Sequence, residues 1–258
     1  MRAARRSALS ADDDSRAAVH EFRKSIRRAR SVVALLRPAL GRTAAAGLVA
    51  DLRAALSETS ILRDTDVMVA TLSGVAGDDP ELFVEAAELA ARMGEGERPV
   101  PAEALKRTLP VLRRLPHALE VVLPRDYSTP DLERGLARGY RRVQQTLEDA
   151  LLSRTDADFH QWRKRVKELR YQLELLASIA SPLKPREKVL GVLARELGET
   201  TDIAVMCGRL QADGRQGRLL ERGRGVLRER ADALLERGRT TFTQSPEAFA
   251  REILAERG

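Results

Sequence analysis

The sequence is poor in aromatic residues, in cysteine and in long apolar runs. Aromatic side chains make up 3% of the 258 residues, so the core must consist mainly of Leu, Val and Ala, which favours packed helices over sheets. The one cysteine, Cys207, excludes a disulfide within the chain and a cysteine-based zinc site. No apolar run is long enough to span a bilayer, and residues 1–15 lack the apolar stretch of a signal peptide. We therefore expect a cytoplasmic protein without membrane contact.

Positive charge is abundant. The chain has 45 Lys and Arg residues against 38 Asp and Glu residues, a formal net charge of +7, and Arg far outnumbers Lys. An arginine stays charged and can bind phosphate oxygens with two N–H groups at once. A basic strip on the surface, more than the net charge, indicates a polyanionic partner. The positions of the arginines along the predicted helices therefore decide whether the charge forms such a basic strip.

Almost every segment has the period of an amphipathic helix, and no alternating strand pattern competes with it. The sequence predicts an all-α fold with linkers at 94–101 and 124–130. Between the linkers we expect a helical stretch that Pro110 and Pro116 interrupt. The other predicted helices cover about residues 16–37, 44–73, 81–93, 130–152, 155–181, 186–212 and 215–243, with a short helix after Pro246.

The chain contains an internal repeat. The twelve residues from Val19 align with those from Phe159, so that His160 follows His20 by 140 residues. A second match, of Asp64 with Asp202, has almost the same offset. Two matches at nearly one offset indicate duplication of a helical unit. We predict one domain over 1–258, with a first half over 12–115 and a second half over 130–243.

On a helical wheel each copy is apolar on one side and cationic on the other. Like charges on one helix face repel by about 0.2–0.5 kcal/mol per neighbouring pair, so we expect an anion to occupy these faces. The predicted core positions are Phe22, Ile26, Ala29, Val33, Trp162, Val166, Leu169 and Leu173, with Leu136, Tyr140, Val143 and Leu147 on a third helix of the same design. The wheel places on the basic faces His20, Arg23, Lys24, Arg27, His160, Arg163, Lys164, Lys167 and Tyr171, flanked by Arg30 and Arg170, and on the third helix Arg134, Arg138, Arg141 and Gln145.

These motifs resemble a known family. The pattern His20-x-x-Arg23-x-x-x-Arg27-Arg28-x-Arg30, followed by Arg63-Asp64-x-Asp66-Val67, is similar to the first half of a CHAD domain, the conserved histidine α-helical domain. The pattern His160-x-x-Arg163-x-x-x-Lys167-x-Leu169-Arg170-Tyr171, followed by Leu197-Gly198-x-x-x-Asp202, is similar to its second half. The chain departs from the pattern at Thr59-Ser60, which stands opposite Leu197-Gly198, and at Thr201, where Asn is common.

The resemblance implies two four-helix bundles related by a pseudo-twofold axis, with a basic central groove that binds inorganic polyphosphate. It also implies association with polyphosphate granules. The family's ligand positions carry over to His20, Arg23, Arg27, Arg28, Arg30, His160, Arg163, Lys167, Arg170 and Tyr171. The wheel adds Lys24, Lys164, Arg134, Arg138 and Arg141.

We therefore predict non-catalytic binding of polyphosphate, without a cofactor or a metal. The chain's three histidines have no histidine partner at i+4, and no acidic cluster accompanies them. Two alternatives stay open: a nucleic-acid-binding helical protein, disfavoured because stacking aromatics are few, and a metal-dependent phosphohydrolase that uses Asp64 or Asp202. The two acids can instead pair with arginines, and His20 and His160 can instead be packed or capping residues.

Overall fold

A computed structural model describes residues 15–59, 61–94, 101–122, 128–178, 183–215 and 217–256. Within these ranges the fold is all-α, without a strand, as predicted. The linker residues 95–100 and 123–127 lie outside them. The helices are α1 (Ser15–Leu35), α2 (Arg37–Leu40), α3 (Arg42–Ser57), α4 (Ile61–Ala76), α5 (Pro80–Gly94), α6 (Pro101–Val122), α7 (Thr129–Ser153), α8 (Asp156–Ala177), α9 (Lys184–Ala212), α10 (Arg218–Thr241) and α11 (Pro246–Ala255).

The prediction of one helix over 44–73 is wrong, because the chain forms α3 and α4 there. α3 ends at Ser57, and the guanidinium of Arg23 donates hydrogen bonds to the carbonyl oxygen of Leu56 (3.1 Å) and the hydroxyl of Thr59 (2.9 Å). These bonds satisfy polar groups that the helix end leaves without intrahelical partners. In the second half the matching segment runs unbroken through Gly198 within α9.

The predicted interruption at Pro110 and Pro116 is also wrong, because α6 continues through both prolines. Each proline removes one helical hydrogen bond and costs about 3 kcal/mol in a helix interior. Pro110 and Pro116 are both exposed, while Leu105, Leu112 and Leu115 on the same helix are buried. Burial of each leucine contributes about 1.5–3 kcal/mol, so packing of the apolar face outweighs the local preference.

Helix caps fix the ends of the two helices that carry much of the predicted site. Ser128 and Asp131 form a capping box at the start of α7, with the Ser128 side chain accepting a hydrogen bond from the Asp131 N–H. At the start of α8, the Thr155 hydroxyl accepts from the Asp158 N–H. The acidic first turns of both helices also suit the positive end of the helix dipole.

Three apolar cores hold the helices together. The first lies in the second half and contains Trp162, and the second joins α1 to α3 and α6 around Phe22. The third is shared: Leu72 and Leu82 of α4 and α5 pack with Met206 of α9 and with side chains of α10. Helices of the two halves therefore complete one core between them.

The predicted core faces are confirmed. Trp162, Val166, Leu169 and Leu173 are fully buried, and so are Phe22 and Ile26 of the first copy. On the third helix the four predicted apolar side chains are at most 5% exposed. In each copy of the repeat, the side chains on the opposite, basic face contact solvent or neighbouring helices.

Glycines allow two close helix approaches. Gly135 of α7 lies against the end of α1, where a Cβ would overlap the backbone carbonyl of Leu35. A Cβ on Gly238 of α10 would lie 2.6 Å from Cζ2 of Trp162. The first approach places α7, with Arg138, near Arg37 of α2.

Candidate functional site

Basic side chains gather where α1 contacts α3, α7 and α8. They are Arg30 of α1, Arg53 of α3, Arg138 of α7 and Lys164 of α8, which we call the basic cluster. None of the four pairs with an acidic side chain among the described residues. The Nε of Arg30 is also buried without a hydrogen-bond partner there. Arg53 and Lys164 lie within electrostatic range of Arg30 or of each other, and Arg138 is linked to Arg30 through two shared neighbours, Glu168 and Arg165.

Burial and mutual repulsion lower the pKa values of two of these side chains. Burial lowers the pKa of Arg30, and the positive charge of Arg53 lowers that pKa further. Burial is again the largest cause of the lowered pKa of Lys164, followed by the charges of Arg165 and Arg30. Both causes disfavour the charged form, so each of these cations would be relieved by an anion.

The α7 side of the basic cluster has the same character. Burial lowers the pKa of Arg138, and the charges of Arg37 and Arg142 lower it further. Burial also lowers the pKa of Arg142, against the opposing effect of Glu168. The end of α1, the short α2 and α7 thus add more cations to the four that define the cluster.

One carboxylate, Glu168 of α8, lies among these cations. It accepts hydrogen bonds from Arg142 (3.2 Å) and from Arg165 (3.1 Å), and its side chain is 19% exposed. Its negative charge opposes the lowering of the Arg30 and Arg138 pKa values. Glu168 therefore acts as an internal counter-ion that neutralises only part of the charge.

His160 extends the site toward the start of α8. Burial lowers its pKa, and so do the charges of Lys164 and Arg163, while Asp202 opposes them. Lys167 adds a smaller effect in the same direction. Burial of the imidazole, and then the same positive charge that would attract an anion, therefore both lower its pKa and disfavour its protonated form.

The predicted residues at the start of α1 are more exposed. His20 is exposed, and Lys24 forms an ion pair of 3.3 Å with Glu21 one turn earlier. Arg27 is partly exposed, and its carbonyl accepts a hydrogen bond from Ser31. The structure thus places the two predicted histidines in different surroundings.

Arg23 and Arg163, at matching positions of the repeat, hold neighbouring helices. Arg23 binds the end of α3, as described above. Arg163 is 9% exposed, lies 3.5 Å from the carboxylate of Asp202, and packs against Gly198 of α9, where a Cβ would be 3.3 Å from its Nη2. Both arginines therefore have a structural role that the wheel did not predict.

Arg28, Arg170 and Tyr171 form a separate group where α1 crosses α8. Arg28 pairs with Glu174, and Arg170 binds Glu187 of α9 at 2.8 Å. Both guanidinium carbons lie 5.9 Å from the centroid of the Tyr171 ring. Near this crossing the Gln172 amide donates a hydrogen bond to the Ser31 carbonyl. These cations are already paired with acids in the free protein.

On the third helix the structure separates Arg138 from its predicted companions. Arg134 pairs with Asp131 on its own helix, and Arg141 pairs with Glu247 of α11. Only Arg138 of the three joins the basic cluster. The α7 cation next to Arg138 is Arg142. Arg142 follows Arg141 directly, so its side chain points about 100° away from that of Arg141.

Sequence reasoning missed four cations of the site. A wheel treats each helix alone, whereas these side chains come together only across helix–helix contacts. Arg53 and Arg37 lie on elements with no motif, and Arg165 lies off the basic face of α8. A count of arginines without an acid at i±3 or i±4 would have been a partial signal. The missed cations are Arg37, Arg53, Arg142 and Arg165.

Among the residues whose side chains are described, no three His, Cys, Asp or Glu groups come together as metal ligands. Asp202 is engaged with Arg163, as the architectural alternative expected. The side chains of Arg63, Asp64 and Asp66 lie outside the described set. No helix in the described part of the chain has the length and apolarity needed to cross a membrane.

Comparisons with known proteins agree with the motifs. The family model of the CHAD domain matches residues 1–211. The crystal structure of the CHAD domain from the plant Ricinus communis is similar, with a TM-score of 0.58 and 20% identity over 98% of this chain and 86% of that one. No curated protein matches. At that identity the structure supports the fold alone, whereas the family model covers most of the sequence: this chain belongs to the CHAD domain family.

Proposed function

We propose that the protein binds inorganic polyphosphate at the basic cluster. The observation that carries the proposal is that Arg30, Arg53 and Lys164 come together from three helices, with Arg138 of a fourth helix beside their shared neighbour Arg165. None of the four forms an ion pair with an acid among the described residues. Ordinary surface arginines pair with acids, as many others of this chain do. Cations kept together at a cost in repulsion indicate that an anion completes the site.

The chemistry of the side chains favours a polymer of phosphates. Arginine binds phosphate oxygens through two parallel N–H groups, and a cluster spread over several helices can contact successive phosphates of one chain. Binders of single-stranded nucleic acid stack bases on aromatic side chains. Tyr171 is the one aromatic among the predicted ligand residues, and the guanidinium groups of Arg28 and Arg170 already lie over its ring. The family resemblance points to the same ligand.

We propose in addition that the two halves are related by a pseudo-twofold axis and that the cluster lies in a groove between them. The matching positions of Arg23 and Arg163, each bound to a later helix of its own half, support this relation. The contact of α1 with α8, which are the two copies of the repeat, supports it as well.

The decisive experiment is calorimetric titration with long-chain polyphosphate. Arg138→Glu with Lys164→Glu should weaken binding at least tenfold, because two contacts become repulsive. The matched control, Arg222→Glu with Arg251→Glu, changes the net charge equally at exposed positions of α10 and α11 and should stay within about twofold. Equal weakening by both pairs would mean that charge attracts polyphosphate without a site.

Competition and turnover assays separate the alternatives. Affinity should fall with salt as counter-ions are released from the polymer. Single-stranded DNA at equal phosphate concentration should displace little polyphosphate, and efficient displacement would favour a nucleic-acid binder.

We propose that binding occurs without turnover. Phosphate release with Mg²⁺ or Mn²⁺ that Asp202→Asn abolishes would overturn this.

We also propose that the protein is cytoplasmic and associates with polyphosphate granules. A fluorescent fusion of the wild-type chain should colocalise with granules, and the Arg138→Glu, Lys164→Glu variant should be diffuse. Granule association of that variant would show that another surface directs it there.

A further inference from the structure

A cleft apart from the basic cluster lies between the start of α8 and the middle of α9 and α10. Its volume is about 450 Å³. None of its lining residues belongs to the basic cluster. Phe159 lines it, whereas the next residue, His160, is affected by the charges of the cluster. The two sites thus share one helix but are formed by different side chains.

The rim of the cleft is cationic. Arg154 pairs with Asp232 at 2.7 Å, and Asp156 is the acid in the lining. Arg224 donates a hydrogen bond to the amide oxygen of Gln211 (2.9 Å), and Arg228 donates a long one (3.4 Å) to a backbone carbonyl. Within the described residues neither Arg224 nor Arg228 forms an ion pair with an acid.

The floor of the cleft is apolar. Phe159 and Ala204 are buried, and the half-buried Leu227 and Ala231 face them from α10. Pockets of about 300–1,000 Å³ hold small molecules, and a cleft of this volume is too small for a folded partner. An apolar floor under a cationic rim is complementary to a molecule with an apolar body and an acidic head.

We propose that this cleft binds a small phosphate monoester with an apolar body. The phosphate lies between Arg224 and Arg228, whose guanidinium groups can each donate two N–H groups to it. The body lies against Phe159 and Leu227. This site is independent of polyphosphate binding, and its ligand is distinguished from polyphosphate by the apolar part.

Calorimetry on the full chain tests the proposal with adenosine 5′-monophosphate and with octyl phosphate below its micelle concentration. Either should bind at one site, and which of them binds identifies the body as a nucleoside or an alkyl chain. Inorganic phosphate should bind at least tenfold more weakly. Trp162, the one tryptophan, lies 6.1 Å from the Phe159 ring, so its fluorescence provides a second measurement.

Variants locate the binding. Arg228→Glu, at an exposed position, should weaken binding at least tenfold, and Ala231→Phe should block it by filling the cleft. The control Arg222→Glu, on the same helix but outside the lining, should stay within about twofold. Thermal unfolding confirms that each variant is folded, and Arg228→Gln replaces Arg228→Glu if the latter is not.

The outcomes separate this proposal from the proposed function. Arg138→Glu with Lys164→Glu should lose polyphosphate and keep the organic phosphate. The cleft proposal is overturned if neither organic phosphate binds wild type, if inorganic phosphate binds as tightly, or if Arg228→Glu and Ala231→Phe both bind normally. None of these results bears on polyphosphate binding at the cluster.

Discussion

At the scale of single residues, a cation's partners say more about its role than its place in a motif. Arg23 and Arg163 belong to the repeated motif, yet Arg23 binds a helix end and Arg163 pairs with the partly buried carboxylate of Asp202. Arg53 belongs to no motif, yet it joins the uncompensated cluster. Removal of a paired arginine should therefore cost stability, whereas removal of an uncompensated one should cost ligand binding.

Glu168 should limit the affinity for polyphosphate. Glu168→Gln removes the negative charge that Glu168 places among the cluster cations and releases Arg142 and Arg165 for the ligand. Calorimetry at low salt should show binding about three- to tenfold tighter. The free protein should lose about 1–2 kcal/mol of unfolding free energy, because Gln has one acceptor oxygen where the carboxylate has two, and the guanidinium groups lose their negative partner.

The control for this prediction is Glu148→Gln, which makes the same charge change at an exposed position of α7. Glu148→Gln should change neither the affinity for polyphosphate nor the free energy of unfolding appreciably. Unchanged affinity in Glu168→Gln, with wild-type binding intact, would show that this carboxylate does not face the ligand.

His160 should make both stability and affinity depend on pH, with opposite signs. Its pKa is lowered in the folded protein by burial and by Lys164, so the folded state binds fewer protons and loses stability as pH falls through about 6.5. A bound polyanion raises that pKa, so affinity should increase over the same range.

Thermal unfolding and calorimetry between pH 5 and 8 would measure these two trends. His160→Gln should flatten both, and His117→Gln, at an exposed position of α6, should leave them unchanged. A pH dependence that survives His160→Gln would assign it to another group.

At the scale of the helices, close packing sets which side chains meet. The approach of α7 to the end of α1 requires glycine at position 135, because any Cβ would overlap the Leu35 carbonyl. This approach brings Arg138 close to Arg37, the first residue of α2. The helix break after Ser57 likewise depends on a tertiary contact, the hydrogen bonds from Arg23.

Gly135→Ala should therefore separate α7 from α1, with a loss of about 3 kcal/mol or more and weaker polyphosphate binding. Gly47→Ala is the matched control, because residue 47 is an exposed position of α3 and no atom lies within 4 Å of a Cβ built there. It should stabilise the helix by about 0.5–1 kcal/mol. Denaturant unfolding measures both, and a neutral Gly135→Ala would show that the helices can shift at little cost.

The sequence was sufficient for features that depend on one helix at a time. The period of the apolar residues placed Trp162 and Phe22 in the core, and the repeat placed both histidines near helix starts. It was insufficient where two helices meet. The path of α6 through Pro110 is decided by packing on its other face, and the grouping of Arg53 with Lys164 is decided by how α3 lies beside α1.

At the scale of the whole molecule, the shared core joins the two halves. Leu72 and Leu82 of the first half are buried against Met206 and Leu219 of the second. Separation would expose these apolar faces to water, at about 25 cal/mol per Å². The basic cluster likewise requires both halves, because α1 and α3 come from one half and α7 and α8 from the other.

The two halves should therefore fold only together. Fragments 1–125 and 126–258, expressed separately, should be largely unfolded or aggregated by circular dichroism, while the intact chain should unfold in one transition. Two separate thermal transitions of the intact chain, or a folded fragment with cooperative melting, would contradict this prediction.

The matching roles of Arg23 and Arg163 have an evolutionary consequence. A descendant that no longer bound its ligand would still need both arginines to fold, so this part of the repeated motif would persist after function was lost. Arg53 and Arg138, which form no ion pair among the described residues, would be replaced first. Retention of these off-motif cations, more than of the motif itself, would distinguish relatives that still bind from those that have only kept the scaffold.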